Sequence, residues 1–135
     1  MVKRYITIPI EVHYPELYEL ISSDAEEDLK ELLAGIYDEE ELKKIKIKQE
    51  DIWDYIDIEM SNYAEDEYYK EIIASKFKPY KKLKDTKILS IDYNGDDEYV
   101  LTLAVLEKDV QKFVELYNKF YKTDKTLEDI FNEIQ

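Results

Sequence analysis

A strand–turn–strand segment decides the fold of this chain: residues 86–106 read TKILSIDYNGDDEYVLTLAVL. Asn94-Gly95 favours the tight turn of a β-hairpin, because both residues tolerate a left-handed backbone. The apolar residues on either side predict strands over 86–93 and 98–106. Apolar side chains are nearly continuous in the second strand, so we expect it to lie at the centre of a sheet.

Residues 4–12 predict a further strand, because apolar and other residues alternate there with a period of two. The side chains that share the apolar face are Ile6, Ile8, Ile10 and Val12. Pro9 has no backbone N–H to donate to a neighbouring strand, so we expect this strand at a sheet edge or at a bulge.

Helix signals follow the first strand. Pro15 predicts a short helical turn over 16–21. Asp24, with Glu27 three residues later, resembles a capping box and predicts a second helix that ends at Gly35. We expect this second helix to bury one apolar stripe, which consists of Leu29, Leu32, Leu33 and Ile36.

The segment 45–60 fits two periods. Its isoleucines alternate with polar residues as in a strand, but the wider spacing of Ile52, Ile56 and Tyr63 also fits a helix. We favour a strand over 54–60. Asn62 and Glu65 then predict a capped helix to Lys76, with a buried side formed by Tyr68, Tyr69, Ile72, Ile73 and Phe77.

Two amphipathic helices are predicted at the C-terminal end. The first has its apolar face at Val110, Phe113, Val114, Tyr117, Phe120 and Tyr121, and the second at Leu127, Ile130, Phe131 and Ile134. Together the patterns predict an α+β fold, with a small, mainly antiparallel sheet of three to four strands packed against these helices. A chain of 135 residues is expected to form a single domain, 1–135.

Negative charge is concentrated in two stretches of a chain whose formal net charge is −14. Residues 15–41 carry eleven acids and one lysine, and residues 49–67 carry eight acids and no basic residue. Lysine-rich stretches, 42–48 and 68–87, follow each of them. Because patches of one sign attract partners of the opposite sign, the pattern predicts a basic partner.

The composition argues against several kinds of site. The chain has no cysteine, which excludes disulfides, thiolate metal sites and cysteine nucleophiles. His13 is the single histidine and is expected to be structural or exposed, so triads and imidazole-rich zinc sites are not expected. We therefore predict no catalytic residue, metal site or cofactor. With no signal-peptide or membrane-spanning pattern, we expect a cytoplasmic protein without membrane contact.

The acidic stretches have a structural and a functional interpretation. Acids in the first turn of a helix complement its dipole, which accounts for many of them. Glu27 and Glu31 are four residues apart on one helix face and repel each other, which the dipole does not explain. Under the functional interpretation the partner-binding residues are Glu26, Glu27, Asp28, Glu31, Asp38, Glu39, Glu40, Glu41, Glu65, Asp66 and Glu67.

These residues favour a non-enzymatic inhibitor that presents carboxylates to a basic protein surface, such as that of a nucleic-acid-binding enzyme. Acids one helical turn apart imitate the spacing of a phosphate track. In size, charge and lack of catalytic residues the chain resembles DNA-mimic inhibitors, which include anti-restriction and anti-CRISPR proteins, and acidic immunity proteins of nuclease toxins. Its own negative charge opposes direct binding to DNA.

Two alternatives remain at the level of sequence. One is a small divalent-metal-dependent enzyme or nucleotide-binding domain, using Asp57 and Glu59 on one strand face or the hairpin acids 96–98. The other is an oligomerising structural protein of viral type, which would associate through tyrosine-rich apolar faces. A homodimer is compatible with either a binding or a structural role.

Overall fold

The computed structural model describes residues 3–134, which form one β-sheet and a layer of helices packed against it. In chain order the elements are β1 (Tyr5–His13), α1 (Pro15–Ala34), α2 (Glu39–Leu42), α3 (Gln49–Glu65), α4 (Glu67–Ser75), β2 (Lys87–Tyr93), β3 (Glu98–Leu106), α5 (Val110–Tyr121) and α6 (Leu127–Asn132). Short 3₁₀ turns occupy Lys78–Lys82 and Glu107–Asp109. The predicted α+β fold class is confirmed.

The described part of the chain forms a three-stranded antiparallel sheet in the order β1-β3-β2. The hairpin of β2 and β3, the central place of β3 and the edge position of β1 are all confirmed. Gly95, with φ +93°, and Asp96, with φ +52°, provide the left-handed backbone of the turn, and the Asn94 N–H donates to the Glu98 carbonyl over 2.9 Å. A β-bulge between Ile88 and Ser90 makes β2 irregular.

One face of the sheet forms the core together with the helices. Its buried side chains are Ile8, Ile10, Val12, Tyr99, Leu101, Leu103 and Val105. Tyr99 joins this face to α3, because its hydroxyl donates to the Met60 carbonyl over 2.7 Å. Phe77, which follows α4, is fully buried and packs against four rings of α5: Phe113, Tyr117, Phe120 and Tyr121. The two predicted C-terminal helices are confirmed as α5 and α6.

α1 is one helix of 20 residues, so the prediction of a short turn over 16–21 and a separate helix capped by Asp24 is wrong. Its buried stripe, Leu17, Ile21 and Ala25, has a spacing of four residues that continues across 22–24. Ser22 and Ser23 do not cap a new helix there, since both hydroxyls donate to carbonyls of the preceding turn. The predicted end at Gly35 is confirmed.

The predicted strand over 54–60 is wrong, because these residues lie inside α3. The helical spacing prevails: Ile56, Met60 and Ala64 are buried at intervals of four residues against the sheet and the neighbouring helices. Asn62 also lies within α3, and the next helix begins after Asp66 instead. Of the predicted buried side of that helix, Ile73 and Phe77 are buried, whereas Tyr68 is 71% exposed.

Candidate functional site

An open apolar groove separates the C-terminal half of α1 from the N-terminal half of α3. We call it the α1–α3 groove. It has a volume of about 500 Å³, and its apolar lining consists of Leu29, Leu32, Leu33, Ile45, Ile47, Tyr55 and Ile58. A smaller opening of about 370 Å³ shares Leu33, Ile45 and Ile47 with it and extends toward Leu42 in α2. The apolar surface therefore continues from α3 past residues 45–47 to α2.

The groove exists because the apolar stripe of α1 is longer than the core that covers it. Leu17, Ile21 and Ala25 are buried, but Leu32 is 54% exposed and Ile36 is 71% exposed. The prediction of a buried stripe is therefore wrong for Leu32 and Ile36, which are exposed. The other two residues of that stripe, Leu29 and Leu33, are half-buried. On the other side of the groove Ile58 is 59% exposed. Several large apolar side chains exposed side by side are typical of an interaction surface.

Carboxylates from α3 border the groove. Asp51, Asp54 and Glu59 line it, and within residues 3–134 no lysine or arginine nitrogen lies within 4.0 Å of their oxygens. Asp51 also has a structural role, because it accepts the Lys48 N–H over 2.9 Å at the start of α3. Burial raises the pKa of Tyr55, and the negative charges of Glu59 and Asp28 raise it further. This side of the groove is therefore an acidic environment.

Lysines lie near the groove but not in its lining. Lys46 and Lys48 alternate with Ile45 and Ile47 along the connection between α2 and α3, and both lysines are exposed. The isoleucines are half-buried and line the groove. The rim of the groove therefore consists of α3 carboxylates, and Lys46 and Lys48 lie outside it.

Two of the predicted partner-binding acids on α1, Glu26 and Asp28, lie close to this surface. Glu26 lines the smaller opening, where Lys30 pairs with it at 3.5 Å. Asp28 is half-buried on the side of α1 that faces Tyr55. The others are exposed: Glu27, Glu31, Asp38, Glu39, Glu40 and Glu41. Asp38 also caps α2, because it accepts the Glu41 N–H over 2.8 Å.

The predicted acids at the junction of α3 and α4 lie at a different place. Glu65 and Glu67 line a separate opening of about 600 Å³ between these helices and β2. Asp66 caps α4 by accepting the backbone N–H groups of Tyr68 and Tyr69. Glu67 is 92% exposed and pairs with Lys70. The structure thus places Glu26 and Asp28 beside the α1–α3 groove and its smaller opening, whereas Glu65 and Glu67 line a different opening.

Asp57 and Glu59 do not form the paired site that a strand would create. On α3 they are two residues apart, and residues at that spacing do not face each other on a helix. Glu59 lines the α1–α3 groove, whereas Asp57 lines a small opening with Trp53 and Asp96 of the hairpin turn. The expectation that they share one face is wrong.

Sequence reasoning missed the rim residues Asp51, Asp54 and Glu59 because it placed most of them on or beside a strand. The signal that identifies them is the helical spacing of Ile52 and Ile56 in a stretch without a single basic residue. On a helix with that inner side, Asp51 and Glu59 lie beside the buried stripe, and Asp54, two residues from each isoleucine, lies on the outer face.

Comparison with known proteins finds no match among family models, curated proteins or solved structures. Among residues 3–134, no helix combines the length and the apolar character that crossing a bilayer requires.

Proposed function

We propose that the protein is a non-enzymatic binding module that inhibits a basic partner by covering its nucleic-acid-binding surface. The α1–α3 groove and the acids of α1 and α2 are the proposed contact surface. The observation that carries the proposal is an exposed apolar groove bordered by carboxylates without a lysine or arginine partner in the described chain. A protein segment with apolar side chains flanked by lysine or arginine is complementary to both features.

The two features have different roles in binding. Full burial of an exposed leucine or isoleucine contributes roughly 1.5–3 kcal/mol, whereas an exposed ion pair contributes about 0–1 kcal/mol. Most of the affinity is therefore assigned to Leu32 and Ile58, the exposed apolar side chains that line the groove. The carboxylates increase the association rate and exclude acidic partners, and this contribution decreases as salt rises.

The proposal is tested by comparing the wild-type protein with the double variant Leu32→Ala, Ile58→Ala. Proteins retained from a cell lysate by the wild type are identified, purified and measured for binding by surface plasmon resonance. We expect the double variant to bind at least about tenfold more weakly, mainly through faster dissociation, because each truncation removes apolar contact area. Leu20→Ala is the matched control, since Leu20 lies on the same helix, is 59% exposed and does not line the groove.

A second experiment tests the role of the acidic side chains and the inhibition of nucleic-acid binding by the partner. Charge reversal of Glu27, Glu31 and Glu39–Glu41 is expected to slow association and to weaken its dependence on salt. The wild-type protein is expected to displace nucleic acid from the purified partner in a mobility-shift assay. Retention of the same partner by all variants, or an undisturbed partner–nucleic-acid complex, would contradict the proposal.

A further inference from the structure

A second cluster of polar side chains lies at the end of β1, away from the α1–α3 groove. His13 Nε2 is 3.2 Å from Glu11 Oε1, and His13 Nδ1 is 3.2 Å from Asp97 Oδ1. Glu98 Oε1 is 4.0 Å from the same Nδ1. Ligand atoms of Glu11, His13 and Glu98 lie within 4.8 Å of one another, which is close enough for one metal ion to bridge them.

The strand register holds these three residues together. Glu11 and His13 are two residues apart on β1 and therefore point to the same face of the sheet. Glu98 is the direct cross-strand partner of His13 on β3. The Tyr14 N–H donates to the Asp97 carbonyl over 2.8 Å, and the Tyr121 hydroxyl donates to the Glu11 carbonyl over 2.8 Å. The backbone that carries the cluster is thus fixed by the sheet and by α5.

Charge at this cluster favours a bound cation. Three carboxylates surround one imidazole, and among residues 3–134 no lysine or arginine forms an ion pair with Glu11, Asp97 or Glu98. Their side chains are 33–38% exposed and that of His13 is 50% exposed, so an ion has access from solvent. A divalent ion offsets more of the repulsion between these carboxylates than a single imidazolium does.

We infer that Glu11, His13 and Glu98 form a binding site for a divalent transition-metal ion such as Zn²⁺. Imidazole nitrogen and carboxylate oxygen are ordinary zinc ligands, and three protein ligands leave a coordination position open. In the tautomer that carries its hydrogen on Nδ1, His13 donates to Asp97 as the outer acceptor and offers Nε2, beside Glu11, to the ion. The expectation of no metal site rested on the lack of cysteine and on the single histidine, but a mixed site of imidazole and carboxylates needs just one histidine.

The inference is tested by calorimetric titration of the purified protein with Zn²⁺ alone, and with Co²⁺ followed by visible absorption. We expect one ion per chain, and at least tenfold weaker binding in His13→Gln and in Glu98→Gln. Asp97→Ala is expected to weaken binding by about 10–100-fold, the usual effect of losing an outer-shell partner. Zn²⁺ is also expected to raise the melting temperature of the wild type but not of His13→Gln.

Asp92→Asn is the matched control, since Asp92 is an exposed carboxylate on the neighbouring strand, outside the cluster. Circular dichroism confirms that each variant is folded. Equal Zn²⁺ binding by the wild type and His13→Gln would overturn the inference, as would Mg²⁺ binding as tightly as Zn²⁺. Absence of any saturable binding would also overturn it. None of these outcomes bears on the α1–α3 groove.

Discussion

Tyr99 connects the centre of the sheet to the helices. Its ring is fully buried on β3 beside that of Tyr93, and its hydroxyl donates to the Met60 carbonyl of α3. Burial raises the pKa of Tyr99, so the hydroxyl stays a neutral donor at physiological pH. A single side chain thus satisfies its own polar atom and holds α3 in place, which in turn positions one wall of the α1–α3 groove.

Tyr99→Phe is expected to lower the free energy of unfolding by about 1 kcal/mol, because it removes one buried hydrogen bond without removing the ring. Urea unfolding followed by far-UV circular dichroism measures this change. Tyr68→Phe is the control: Tyr68 is 71% exposed, and its change is expected to stay within about 0.5 kcal/mol. Equal effects of the two substitutions would show that the Tyr99 hydrogen bond contributes nothing.

At the scale of elements, the starts of the helices explain part of the acidic sequence. Asp38 and Asp66 were predicted to bind a partner, yet each also caps a helix by accepting backbone N–H groups. Capping needs a short acceptor side chain at one position only. It does not account for the exposed acids that follow, such as Glu39, Glu40 and Glu67.

Asp66→Ala is expected to lower the free energy of unfolding by about 1 kcal/mol, since the N–H groups of Tyr68 and Tyr69 lose their acceptor. Asp66→Asn retains an acceptor oxygen and is expected to be close to the wild type. Glu65→Ala changes an exposed acid that caps nothing and serves as the neighbouring control. If Asp66→Ala and Glu65→Ala unfold at the same urea concentration, the capping role is wrong.

On the scale of the whole molecule, buried and half-buried tyrosines make stability depend on pH in the alkaline range. Burial is the main cause of a raised pKa in Tyr93, Tyr99, Tyr117 and Tyr121, which come from both the sheet and α5. For Tyr121 the pKa is raised to about 12. An unfolded chain releases phenolic protons near pH 10, so above that pH the native state binds more protons than the unfolded state. Stability is then lost as pH rises.

Below about pH 10 we therefore expect these tyrosines to leave the free energy of unfolding unchanged. Above that pH we expect it to fall by up to about 1.4 kcal/mol per pH unit for each tyrosine that stays protonated in the native state. Urea unfolding between about pH 8 and 11.5 measures the slope. Tyr121→Phe is expected to make it shallower, whereas Tyr68→Phe, at an exposed position, is expected to leave it unchanged. Identical slopes in all three proteins would contradict this assignment.

Local sequence was sufficient where a single period or dipeptide dominates. Asn94-Gly95 and the apolar run of 98–106 predicted the hairpin and its central strand, and Pro9 predicted the edge strand. The prediction from local sequence failed at 54–60. There the alternation of isoleucine with acids fits a strand, but the same isoleucines also fit a helix, which is what the structure has. Contact with α1 and the sheet selects the helix there, and those contacts come from distant residues.

The sequence by itself determined the fold class, the hairpin with its central strand and the acidity of two segments, because hydrophobic period, turn chemistry and charge are local properties. Tertiary structure alone decided that Leu32 and Ile58 are left uncovered beside the carboxylates of α3. It alone also brought His13 to Asp97 and Glu98, which are more than 80 residues away along the chain. The physical reason is that exposure and proximity depend on which elements pack together, and a one-dimensional pattern does not contain that packing.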